Sequence, residues 1–129
     1  MTLQPPPQIH VGTPEFLEPT LLLIGDGAAY LWLANELNAR REIVLGQQSS
    51  GARRATLRIV PDDTRHVFSR AGAEFSWRIL ASDAAKVARQ LVALAGNPSP
   101  AHAYLDPELN LADVQVVASF GEYDPSLVF

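Results

Sequence analysis

The stretch from residue 55 to residue 96 changes its hydrophobic period midway, and that switch narrows the possible folds more than any other feature. "ATLRIV" (55–60), "RHVFS" (65–69) and "EFSWRILA" (74–81) alternate apolar and polar residues, with Phe75, Trp77 and Ile79 on one face. That is the period of two of a half-buried strand. "PDDT" (61–64) and "RAGA" (70–73) read as the turns between them, which predicts an antiparallel meander. "DAAKVARQLVALAG" (83–96) then sets Ala84, Val87, Ala88, Leu91 and Ala95 in a stripe, the pattern of a helix with one buried side. Ser82 is placed to cap that helix. Gly96 suits the left-handed residue that ends it, and Pro98 prevents its continuation. Neither an all-helical nor an all-strand fold accommodates both periods.

The remaining segments extend this plan. Five prolines fall in residues 1–19 (Pro5, Pro6, Pro7, Pro14 and Pro19), so residues 1–18 are expected to form an extended arm that cannot join a central strand. "TLLLIG" (20–25) reads as a continuously apolar strand buried on both faces. In "GAAYLWLANELNAR" (27–40), Tyr30, Leu33, Ala34 and Leu37 repeat at helical spacing, and Asp26 can cap that helix. "EIVLG" (42–46) is a further strand candidate, and "QQSSGARR" (47–54) a polar loop. "SPAHAYLD" (99–106) is a short turn or strand. "ADVQVVASF" (112–120) is a last strand with Val114, Val116 and Ala118 on one face. The expected fold is α+β: one domain over residues 19–129, with two helices packed on a largely antiparallel sheet, a single pair of layers.

Charge is partitioned along the chain. Residues 1–39 carry four acids and no Lys or Arg, residues 40–89 carry all ten bases against five acids, and residues 90–129 carry five acids and no base. The blocks can neutralise one another across the fold, or the two ends can form an acidic face for a basic partner. The net charge of −4 argues against nucleic-acid binding. There is no cysteine, hence no disulfide framework and no thiolate metal site. "MTLQPPPQIH" lacks the basic leader and apolar core of a signal peptide, so the expected location is the cytoplasm, with no membrane partner.

Motifs for chemistry are sparse. "IGDGAA" (24–29) lacks the spacing of a phosphate-binding loop, and Asp26 would repel phosphate. His10, His66 and His102 form no metal-ligand pair, and no GxSxG surrounds any serine. No cofactor and no metal are expected. What remains is an acidic, aromatic cluster near the end: His102, Tyr104 and Asp106 in "AHAYLD", then Glu122, Tyr123 and Asp124 in "GEYD". Asp106 with Glu122 or Asp124 could supply an acid–base pair. Tyrosines beside carboxylates also suit a partner interface, since tyrosine is apolar along its body and polar at its tip. Gly121 can turn the chain out of the last strand. Tyr123 is then expected to cover the sheet while Glu122 and Asp124 face solvent.

The later half of the chain resembles a family of small bacterial proteins in which a helix is followed by an "hxYL" segment and a final strand leads into "S-x-GEYD". The matching residues are His102, Tyr104 and Leu105, then Ser119, Gly121, Glu122, Tyr123 and Asp124. "IGDGAAYLWLANEL" is similar to the opening of such sequences, so the resemblance covers roughly residues 20–124. Proteins of this type are immunity proteins of polymorphic toxin systems, which neutralise a co-encoded toxin domain. The resemblance implies a non-catalytic inhibitor that meets a basic toxin surface through His102, Tyr104, Asp106, Glu122, Tyr123 and Asp124. The alternatives are a small enzyme using its Asp and Glu residues as acid and base, or a structural, oligomer-forming subunit.

Overall fold

The run "TLLLI" is buried at every position, as a continuously apolar strand in the middle of a sheet must be. The computed structural model describes residues 8–16, 18–47, 49–105 and 114–129. Along the chain lie β1 (His10–Gly12), β2 (Thr20–Ile24), α1 (Gly27–Asn38), β3 (Ile43–Leu45), β4 (Thr56–Pro61) and β5 (Val67–Ala71). They are followed by β6 (Glu74–Ile79), α2 (Ala81–Gly96), β7 (Ala101–Tyr104), β8 (Gln115–Phe120) and α3 (Pro125–Val128). The class is α+β. Among the described residues, the one expected sheet with two helices becomes two four-stranded sheets, ordered β1-β2-β8-β7 and β3-β4-β6-β5, with three helices. The third is the short turn α3, which Asp124 caps and Pro125 opens.

Both sheets are mixed. β2 pairs with β8 in parallel, as β4 does with β6, and each parallel pair lies between two antiparallel ones. The expected meander is therefore corrected, because β4 and β5 are not neighbours. Leu57 and Ile59 of β4, and Phe75, Trp77 and Ile79 of β6, all enter the core, whereas β5 buries only Phe68. The richer strands take the middle and β5 the edge. Asp62 secures the crossing from β4 to β5. Its backbone N–H donates to the Ile79 carbonyl at 3.0 Å, and its carboxylate accepts from the backbone N–H groups of Thr64 and Arg65 at 2.8 and 3.1 Å.

In α1, Tyr30, Leu33, Ala34 and Leu37 are buried, and the Asp26 carboxylate accepts from the Ala29 N–H at 2.8 Å, as the spacing predicts. The start of α2 differs from expectation. Its first turn closes at Leu80, whose carbonyl accepts from Ala84 N–H at 2.8 Å, so Ser82 lies inside the helix and caps nothing. Gly96 is the last helical residue without adopting positive φ, and Asn97 turns extended. α1 and α2 pack against one another, and one cluster of buried side chains draws on both helices and both sheets. The opposite face of the first sheet exposes Leu22, Ile24 and Val117 to Val128 and Phe129, which cover them. Among the described residues no helix is long and apolar enough to cross a membrane.

Candidate functional site

The register of β7 on β8 gathers the residues of the two sequence motifs. His102 lies opposite Ser119 and Tyr104 opposite Val117. The Leu105 N–H donates to the Val116 carbonyl at 2.8 Å. Counting back from that hydrogen-bonded pair, His102–Ser119 and Tyr104–Val117 are non-hydrogen-bonded pairs, in which the side chains approach most closely. After β8 the chain reverses at Gly121, whose φ is +74°. A Cβ there would meet Ser99 Oγ, which can rotate aside, so it is the backbone conformation that calls for glycine.

That reversal brings Glu122 back over the strand it has just left. Its carboxylate accepts from Ser119 Oγ at 3.1 Å and lies 3.0 Å from His102 Nδ1. The His102 ring meets the Tyr104 ring nearly edge-on, at 5.6 Å and 88°. On the other side, Tyr123 packs against Phe16 with ring centroids 5.6 Å apart. Tyr104, His102 and Glu122 thus form one run of contacts and Tyr123 with Phe16 a second, and the two runs, joined where Glu122 and Tyr123 are neighbours in the chain, make up one stripe. Tyr104, Tyr123 and Phe16 are 48, 37 and 38% exposed.

One detail departs from expectation: Tyr123 does not close over the sheet. Glu122 is an exposed residue, and His102 and Ser119 engage its carboxylate so that 22% of the side chain stays open. Asp124 is exposed but committed locally. Its carboxylate accepts from the hydroxyl and then the backbone N–H of Ser126, and these bonds hold it below the usual carboxylate range. Asp106 lies outside the described residues. Phe16 was not legible as a member, since the proline-rich arm carries no periodicity to place it.

Beneath the stripe, Tyr30 is wholly buried, and its hydroxyl lies 2.5 Å from the Ser119 carbonyl and 3.1 Å from that of Leu23. Burial pushes this phenol well above the usual tyrosine range, so it remains a neutral donor. Ser119, Glu122 and His102 do not compose a nucleophilic relay. In such a relay the imidazole stands between hydroxyl and carboxylate, whereas here the carboxylate stands between the other two. His66 is elsewhere, accepting from the indole N–H of buried Trp77. Among the described residues no three His, Cys, Asp or Glu side chains gather as metal ligands. No protein-family model matches the chain, and no curated protein or solved structure matches it.

Proposed function

We propose that this chain is an immunity-type binding protein, acting in the cytoplasm, that inhibits a co-encoded toxin domain by covering a basic part of its surface. The observation that carries this reading is the stripe itself. Two short motifs, at residues 102–105 and 119–124, meet across β7 and β8, and a glycine-dependent turn holds them together. Three aromatic rings stand partly exposed around a carboxylate. Rigid aromatic anchors beside a charge are the composition of an interface centre. Residues 1–39 and 90–129, which supply every member of the stripe, contain no Lys or Arg. A basic partner is therefore attracted to this end of the molecule and an acidic one repelled.

The test is protection. Cells expressing the toxin domain encoded beside this chain should grow when the wild-type protein is co-expressed. Tyr123→Ala should weaken binding by about 2 kcal/mol. Glu122→Lys should mainly slow association and weaken its dependence on salt. The melting temperature of Tyr123→Ala should stay near wild type, because that residue is exposed, and Glu122→Lys should lose only what the contacts with Ser119 and His102 contribute. Full protection by both variants would remove the stripe from the interface. Absence of protection by the wild-type protein would overturn the reading altogether.

A further inference from the structure

We infer that β7 is a docking edge, on which a partner lays an extended, basic segment as a fifth strand of the first sheet. The inference rests on reading the stripe as a binding surface, and it specifies how binding occurs. Among the described residues β7 is the outermost strand of its sheet. Since His102 and Tyr104 belong to non-hydrogen-bonded pairs with β8, their backbone groups point away from it. The Tyr104 carbonyl is taken by Gln90 Nε2 at 2.8 Å. The His102 N–H, the His102 carbonyl and the Tyr104 N–H have no partner among the described residues. An incoming strand needs just such a row of groups.

The other three edges are less inviting. β1 and β3 have three residues each, the Val11 N–H and carbonyl of β1 are taken by Ser49 and Ala55, and β5 carries Arg70 beside the Gly72 turn. Charge and brevity are the usual means of blunting an edge. β7, with the sequence Ala-His-Ala-Tyr, has neither Lys nor Arg nor Pro within it. Its Ala101 and Ala103 pack towards the core, which leaves His102 and Tyr104 on the outer face with Glu122. A residue added opposite His102 projects onto that same face. A lysine or arginine there lays its stem along the Tyr104 ring and brings its charge towards the Glu122 carboxylate. The absence of Lys and Arg from residues 90–129 leaves nothing on these strands to repel it.

A blocked heptapeptide alternating lysine with valine is the probe, followed by amide NMR on the whole protein. Shifts should centre on residues 101–105 and 121–123, and the His102 and Tyr104 amides should exchange several-fold more slowly in its presence. N-methylating the peptide on the residues that face β7 should weaken binding about tenfold, as should replacing its lysines by glutamates. Glu122→Gln should weaken the lysine peptide but not its glutamate counterpart. Equal binding by the N-methylated peptide, with shifts at Glu122 and Tyr123, would overturn edge pairing and leave the stripe as a binding surface. No binding at about 1 mM, or shifts elsewhere, would overturn the docking edge, and the protection assay would then judge the immunity reading separately.

Discussion

Tyr30 joins the core to the exposed stripe through one hydroxyl. It donates where β2 and β8 end, and the same Ser119 carbonyl also receives the Gly25 N–H at 3.3 Å. Tyr30→Phe keeps the ring and removes the donor, so the loss at neutral pH should be about 1 kcal/mol in urea denaturation. The raised phenol pKa adds a second signature. A group whose pKa is raised by folding contributes stability that is complete below its unfolded value and is lost as pH rises. Wild-type stability should therefore fall above about pH 10, and Tyr30→Phe should flatten that fall. A variant with the same alkaline slope as wild type would mean that the phenol ionises without cost. Gly121 is the opposite kind of residue, valuable for what it lacks, and its φ of +74° fixes where Glu122 can reach.

At the scale of elements, the sequence made most strands and helices visible but not their neighbours. Alternation in "EFSWRILA" says that a strand exists and which face is buried, yet nothing about which strand lies beside it. The parallel pairing of β4 with β6 follows from competition for the core, with Phe75, Trp77 and Ile79 outbidding the single buried Phe68 of β5. Likewise "HAYL" and "SxGEYD" were legible as segments, but their meeting depends on a register that no local pattern encodes. Helix α3 escaped because its Asp-Pro-Ser start also reads as an exit turn. The crossing between β4 and β5 has a testable signature of its own. Hydrogen bonds from the Thr64 and Arg65 backbone and the Thr64 hydroxyl hold the Asp62 carboxyl well below the usual range, with Arg78 assisting at 3.4 Å. A group depressed by folding contributes stability that is complete above its unfolded pKa and is lost as pH falls. Acid should thus weaken the protein progressively below about pH 4. Asp62→Asn should make that decline shallower, measured as urea midpoints against pH. An unchanged slope would place the acid sensitivity elsewhere.

At the scale of the whole molecule, the two sheets share one buried cluster and also a backbone seam. Along it the Ala55 N–H donates to the Val11 carbonyl at 2.9 Å, the Thr13 N–H donates to the Arg53 carbonyl at 2.8 Å, and Gly12 bridges Arg54. Buried Ser49 accepts the Val11 N–H at 2.9 Å. Phe129 lies across this seam. A Cβ on Gly12 would fall 2.4 Å from its ring, and one on Gly51 would fall 2.4 Å from its backbone oxygen. Phe129 therefore links the two sheets, its ring seated against Gly12 of β1 and its backbone against Gly51 of the loop that leads into β4, while it covers Leu22, Ile24 and Val117 together with Val128. Gly12→Ala should cost about 1–3 kcal/mol by forcing the ring from its seat. Phe129→Ala should cost about 2 kcal/mol through lost burial. The decisive quantity is their coupling. With Phe129 already truncated, a methyl at position 12 has nothing to displace, so the double variant should be no less stable than Phe129→Ala alone. That non-additivity amounts to about 1 kcal/mol or more in a double-mutant cycle. Strictly additive costs would mean that Gly12 is required by the β1 backbone itself, and that Phe129 is a lid on one sheet with no part in holding the two together.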